Sequence, residues 1–223
     1  MNKKVLVVAA HADDEVLGCG GTIARHVATG DDVYVVFMAD GVQSRGVDEA
    51  TQLEHRNRAR DDALTRLGVT QCHAFDFPDN RMDSLPLLEI VQQLEPIIKK
   101  FQPQRVITHH YGDLNVDHRV THKAVMTACR PVPKSSVKEL LGFEVLSSTE
   151  WATPYIHPFI PNFFVDISEY ISVKVEAAEA YALEMRDKPH SRSVESITAL
   201  SALRGHSVGV CHAEAYIAYR ILV

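Results

Sequence analysis

Two short stretches hold most of the residues equipped for chemistry. The first is His11-Ala12-Asp13-Asp14-Glu15, four potential ligands or proton carriers within five positions. Imidazole with carboxylate suits a divalent ion such as Zn²⁺, which in catalytic sites keeps a position open for water. Two adjacent aspartates fit poorly around one ion. One is expected to ligate, and the other to deprotonate a water whose pKa the metal lowers to about 7. The competing reading, acids placed to favour a helix dipole, leaves His11 unexplained. The second stretch runs from His109-His110-Tyr111 through Asp113, Asn115 and Asp117 to His118, with His122 beyond. Asp117 reads as a helix N-cap. His118 and His122 are four apart on one helical face, so either can reach a metal. His109 and His110 either line a pocket or fill a strand end.

Both stretches follow apolar runs. Lys4 to Ala10 is a β-branched run of the kind buried on both faces of a parallel sheet. Gly20 to Ala28 reads as a helix stopped by Gly30, and Val33 to Met38 as the second strand. A polar helix from Ala50 to Leu67, a short strand near His73 to Phe77 and a helix from Leu85 to Lys100 follow. Arg105 to Thr108 is a further strand, and Asp117 to Cys129 a further helix. The remainder adds extended pieces at Gly142 to Leu146 and Phe163 to Val165, then helices near Ser168 to Met185 and Val194 to Leu203. The order predicts a single α/β domain over residues 1–223, a mostly parallel, doubly wound, Rossmann-like sheet with helices on both faces. Ligands in such folds sit beyond the carboxyl ends of the strands, where both stretches fall.

Composition narrows the function classes. The 29 acids outnumber the 23 bases, and the bases are scattered, so the basic stripe that nucleic acid demands is missing. The run Val5 to Ala10 is far short of a membrane span, and Asp13, Asp14 and Glu15 end any signal-peptide reading of the N-terminus. Four separated cysteines without a CxxC pair fit reduced thiols in a cytoplasmic protein. A homo-oligomer is compatible with all of this. One rival chemistry is a nucleotide-binding oxidoreductase, for which Gly18-Cys19-Gly20-Gly21 would cradle phosphate and Asp40 would end the next strand. Ile23 occupies the place of the third glycine, and His11 to Leu17 separate the turn from its strand. The glycines are instead expected to let a helix pack close to the sheet.

The segment VLVVAAHADDEVLGCGGTIA resembles the opening of the LmbE-like, or PIG-L, family of zinc-dependent N-acetylglucosaminyl deacetylases, whose hallmark is His-x-Asp-Asp. Matching pieces extend over nearly the whole chain: the helix around Arg56, Pro78-Asp79-Asn80-Arg81, DLNVDH at 113–118, PNFFVDIS at 161–168 and GVCHAEAY at 209–216. The resemblance implies His11, Asp14 and His118 as ligands of Zn²⁺, with Fe²⁺ or Co²⁺ as alternatives, and Asp13 as general base. It implies Arg56 as a contact to sugar hydroxyls of a small amino-sugar substrate, from which an N-acetyl group is hydrolysed. Another small amide or ester at the same site is the alternative. Where many members carry His-Pro-Asp-His this chain has Asn115, which can donate a hydrogen bond to an oxyanion but no proton. The leaving-group proton would then come from Asp13, His122 or His110. Secondary candidates for the pocket are Arg45, Asp79, Arg81 and His212, with His190 and Arg192 closing over it. Trp151 is expected to be half-buried rather than stacked on a sugar. His26, His55 and His73 read as surface or packing residues.

Overall fold

The computed structural model describes residues 2–39, 41 and 49–223; the candidate Arg45, and Asp40 before it, lie outside these. Among the described residues seven strands form one sheet: β1 (Lys4–Ala9), β2 (Asp32–Ala39), β3 (Gln71–Phe77), β4 (Arg105–His109), β5 (Glu139–Phe143), β6 (Phe163–Asp166) and β7 (Ala213–Ile221). Six helices accompany them: α1 (Asp14–Ala28), α2 (Glu49–Arg66), α3 (Leu87–Phe101), α4 (Val116–Ala128), α5 (Ile171–Ala180) and α6 (Val194–His206). The strand order is β3-β2-β1-β4-β5-β7-β6. β1 to β5 run parallel, and β7 lies antiparallel between β5 and β6.

The apolar run of β1 is explained by burial on both faces. Val5, Val7 and Ala9 join the core under α1, α2 and α5, while Leu6 and Val8 join the core under α3 and α4. β1 pairs with β2 on one side and β4 on the other, so the winding direction reverses between β1 and β4. In doubly wound sheets that reversal opens a crevice beyond the strand ends.

Helix α1 begins at Asp14 rather than Gly20 and kinks at Cys19, whose φ is −149°. The glycines lie inside it: a Cβ on Gly18 would collide with the Phe143 ring, and one on Gly21 would sit 2.7 Å from Ile167 Cδ1. They serve close helix–sheet packing, and a phosphate-cradling turn is absent here among the described residues. Asp117 is not the cap of α4. Asn115 takes that place, its Oδ1 accepting the Asp117 N–H at 2.8 Å, and Asp117 turns inward. The helix expected to run to Met185 stops at Ala180, and β7 is a strand that the sequence pattern did not single out. Cys19 and Cys129 are buried and Cys72 and Cys211 exposed, none of them in a disulfide.

Candidate active site

His11 lies two residues beyond β1, and Asp14 opens α1. The His11 N–H donates to Asp14 Oδ2 at 2.8 Å, folding the loop back on itself. The same oxygen lies 3.3 Å from His11 Nδ1 and 3.2 Å from His118 Nε2. His118 arrives from the first turn of α4, after β4. The three donor atoms lie within 4.8 Å of one another, all buried, and Asp14 Oδ1 beside them is buried without a hydrogen-bond partner. Two imidazole nitrogens and an orphaned carboxylate oxygen converging on one point fit a divalent cation of the zinc type.

His11, Asp79 and Asp117 form a second set at the same spacing. There Asp117 is already occupied, accepting the N–H groups of Asn80 at 2.6 Å and Met82 at 3.0 Å, while its Oδ2 lies 3.0 Å from His11 Nε2. Asp117 therefore orients the His11 ring from behind. Asp113 does the same for His118: its Oδ1 lies 3.1 Å from Nδ1, and it accepts from the Ser148 and Thr149 hydroxyls and the Asn115 N–H. Such carboxylate–histidine pairs fix ring orientation and raise ligand basicity.

His109 is a packing residue. Its ring stacks on His118 at 3.9 Å between centroids, and its Nε2 accepts the Ala10 N–H. His122 Nδ1 faces the His109 carbonyl and His110 Nε2 the His157 carbonyl, so neither joins the cluster.

The electrostatics match a place prepared for a cation. Burial opposes a charged His118, but Asp14 and Asp113 prevail and push its pKa up to about 9. Burial likewise opposes a charged His11, and Asp117, Asp14 and Asp79 hold its pKa well above the ordinary value. Asp14, although buried, is held well below the carboxylate range by His118, His109 and His11. Protons thus occupy the two histidines, while Asp14 stays ionised, until a metal displaces them. Asp13 differs: burial raises its pKa, Asp14 adds to that, and Arg192 and Arg56 restrain it. Burial also lifts Glu15 to about 7 against its hydrogen bond from Tyr181.

Asp13 sits at φ 123°, ψ −30°, a conformation costing a non-glycine residue about 1–3 kcal/mol. Its carbonyl accepts the N–H groups of Val16 and Leu17, and its N–H donates to Glu15 Oε2, so the α1 entrance holds it there. The side chain faces a cavity of about 200 Å³, which His11, Asp79, Asn80, Asn115, His118, Ser147, Ser148 and Arg192 help to line.

Most of the sequence-derived candidates meet here, with differences in role. Arg56 borders the cavity, but it donates to the Gly41 and Ala12 carbonyls and to Glu184, bracing the walls. Asp79 is buried with Oδ1 3.2 Å from His11 Nε2. Arg81 is exposed at the start of the 3-10 turn Met82–Ser84 and does not line the cavity. His212 does not line it either: its ring faces Ser201 of α6, and its N–H donates to Ser168. Trp151 is about half-buried, at 53% exposure, but outside both apolar cores, with its ring edge-on to His190. Arg192 closes over the site as expected. Glu184, Ser147 and Ser148 went unnoticed in the sequence because their partners are distant along the chain. The inward role of Asp117 was hidden by its position at a helix start.

A buried His-Asp-His cluster with the Asp13 carboxylate facing the same cavity, at the switch point of a doubly wound sheet, defines a metal-dependent α/β enzyme site. The profile of the PIG-L family, GlcNAc-PI de-N-acetylase, matches residues 6–129, and the chain belongs to that family of deacetylases. It is 33% identical over 185 residues to the uncharacterized deacetylase YaiS of Escherichia coli (strain K12), covering 80% of this chain and 90% of that one. It is 30% identical to 1D-myo-inositol 2-acetamido-2-deoxy-alpha-D-glucopyranoside deacetylase of Mycobacterium sp. (strain JLS), covering 85% and 77%. Among solved structures, 4-carboxy-2-hydroxymuconate hydratase of Pseudomonas putida KT2440 superposes with a TM-score of 0.82 at 22% identity, covering 99% and 98%. That likeness concerns the fold alone. No helix among the described residues is long and apolar enough to cross a membrane.

Proposed function

We propose that the chain hydrolyses the acetamide of an N-acetylglucosamine-type sugar, giving the free amine and acetate, with His11, Asp14 and His118 holding the metal. The convergence of both histidines on Asp14, with the Asp13 carboxylate facing the same cavity, carries this reading. Zinc is the ion of choice, given two imidazoles, one carboxylate and no thiolate. The ion would supply Lewis acidity, polarising a carbonyl and making water easier to deprotonate.

Asp13 takes a proton from water as its oxygen adds to the acetamide carbon. Burial makes that carboxylate a stronger base than an exposed one. Asn115 Nδ2, 3.3 Å from Asn80 Oδ1 at the cavity wall, donates toward the developing oxyanion. The C–N bond then breaks, and Asp13 returns its proton to the departing amine. The rings of His110 and His122 each turn one nitrogen to a backbone carbonyl and do not line the cavity, which supports Asp13 as the acid. The serines, asparagines and Asp79 offer hydrogen bonds to hydroxyls, which suits a sugar ring.

The test is acetate release from free, glycosidic and nucleotide-linked N-acetylglucosamine with zinc supplied. Acetate from at least one, lost on chelation, is the expected result. No acetate from any sugar, by protein carrying one metal per chain, would overturn the substrate class.

A further inference from the structure

Around Asp13 runs a closed ring of charge built from three separate parts of the chain: the entrance to α1, α2 and the segment between α5 and α6. Arg192 Nη1 donates to Asp13 Oδ2 at 2.8 Å and lies 3.6 Å from Glu184 Oε2. Glu184 Oε1 accepts from Arg56 Nη1 at 3.0 Å. Arg56 Nη2 lies 3.8 Å from Asp13 Oδ1, completing the ring. Its two guanidiniums and two carboxylates balance. A second anchor fixes Arg192, whose Nε donates to the Ser147 hydroxyl at 2.6 Å, while its N–H donates to His190 Nδ1. The next residue, Ser193, is the N-cap of α6, accepting the Ser196 N–H at 3.1 Å, which ties the loop to a helix.

We infer that Arg192 is a positioning residue for Asp13, holding Oδ2 so that Oδ1 faces the cavity and takes the proton. The inference rests on the assignment of Asp13 as the base. Asp13 needs such a device because its backbone is held by α1, whereas its side chain is gripped by Arg192 with only a longer approach from Arg56. Arg192 is 22% exposed in its side chain and stands at the cavity rim, so removing it leaves the metal cluster beneath untouched. Guanidinium geometry matters: one group reaches Asp13 through Nη1 and Ser147 through Nε, which a lysine ammonium cannot do at once.

The experiment compares Arg192→Ala, Arg192→Lys and Asp13→Ala with wild type, by steady-state kinetics, metal content and crystal structures of the metal-free proteins. Expected for Arg192→Ala is a fall in kcat of about 10²-fold, the cost of a misplaced catalytic group. KM and metal content stay unchanged, and the Asp13 carboxylate rotates away from its wild-type position. Arg192→Lys, or added guanidinium ion with Arg192→Ala, restores part of kcat. A raised KM with kcat retained would overturn the inference and make Arg192 a substrate clamp. An unmoved Asp13 carboxylate, or wild-type kcat, would overturn it as well. Full activity in Asp13→Ala is a separate failure, since it removes the base assignment whatever Arg192 does.

Discussion

The floor and the rim of the cavity are built by different means. The floor, His11, Asp14, His118 and the acids Asp113 and Asp117 behind them, comes from the ends of two adjacent parallel strands and the helices that follow. Every ligand there is buried, and a carboxylate stands behind each histidine, Asp117 3.0 Å from His11 and Asp113 3.1 Å from His118. The rim comes from α2, from the turn after β5 and from the segment between α5 and α6. Long charged side chains hold it: Arg56, Glu184 and Arg192. The floor is fixed by topology and the rim by charge pairing across more than a hundred residues. Metal binding should therefore depend on the floor alone, and turnover on both.

The sharpest contrast comes from emptying the floor. His118→Ala is expected to abolish metal binding and turnover together, read as metal per chain and acetate released. Asp13→Ala should retain the metal and lower kcat by about 10²–10⁴-fold. If both variants lost the metal, the separation of floor from rim would collapse. Asp117→Ala leaves all three ligands but frees the His11 ring, and should weaken metal affinity by about 10–100-fold in a chelator competition.

Proton competition sharpens the same point. With the His118 pKa near 9 in the metal-free protein, that ring is charged at pH 7.5 and must lose its proton to ligate. Metal affinity should thus rise with pH up to about 9, and loading in weak buffer should release protons. A pH-independent affinity would contradict the coupling. The smallest effect is reserved for Arg81→Ala. This exposed side chain off the cavity should change stability by no more than about 0.5 kcal/mol and leave kcat/KM unchanged.

The same division explains what could be read from the sequence. β1 and β2 are long apolar runs and β4 carries the buried pair Val106-Ile107, so they are visible in the sequence, and the ligands at the ends of β1 and β4 follow. β7 was harder: Ala213, Ala215 and Ala218 are poor strand formers, and its place comes from pairing with β5 and β6 on either side. Asp117 carries the composition of a cap, and only the fold shows Asn115 capping while Asp117 turns to His11. Glu184 lies 128 positions from Arg56, and Arg192 lies 179 from Asp13, so no local period could pair them.

The most direct test of the account measures metal content and acetate release on the same preparations of wild type, Asp13→Ala and His118→Ala. Expected, in that order, are one metal with turnover, one metal without turnover, and neither. Turnover at the wild-type rate by Asp13→Ala, or by wild type stripped of metal, would contradict it.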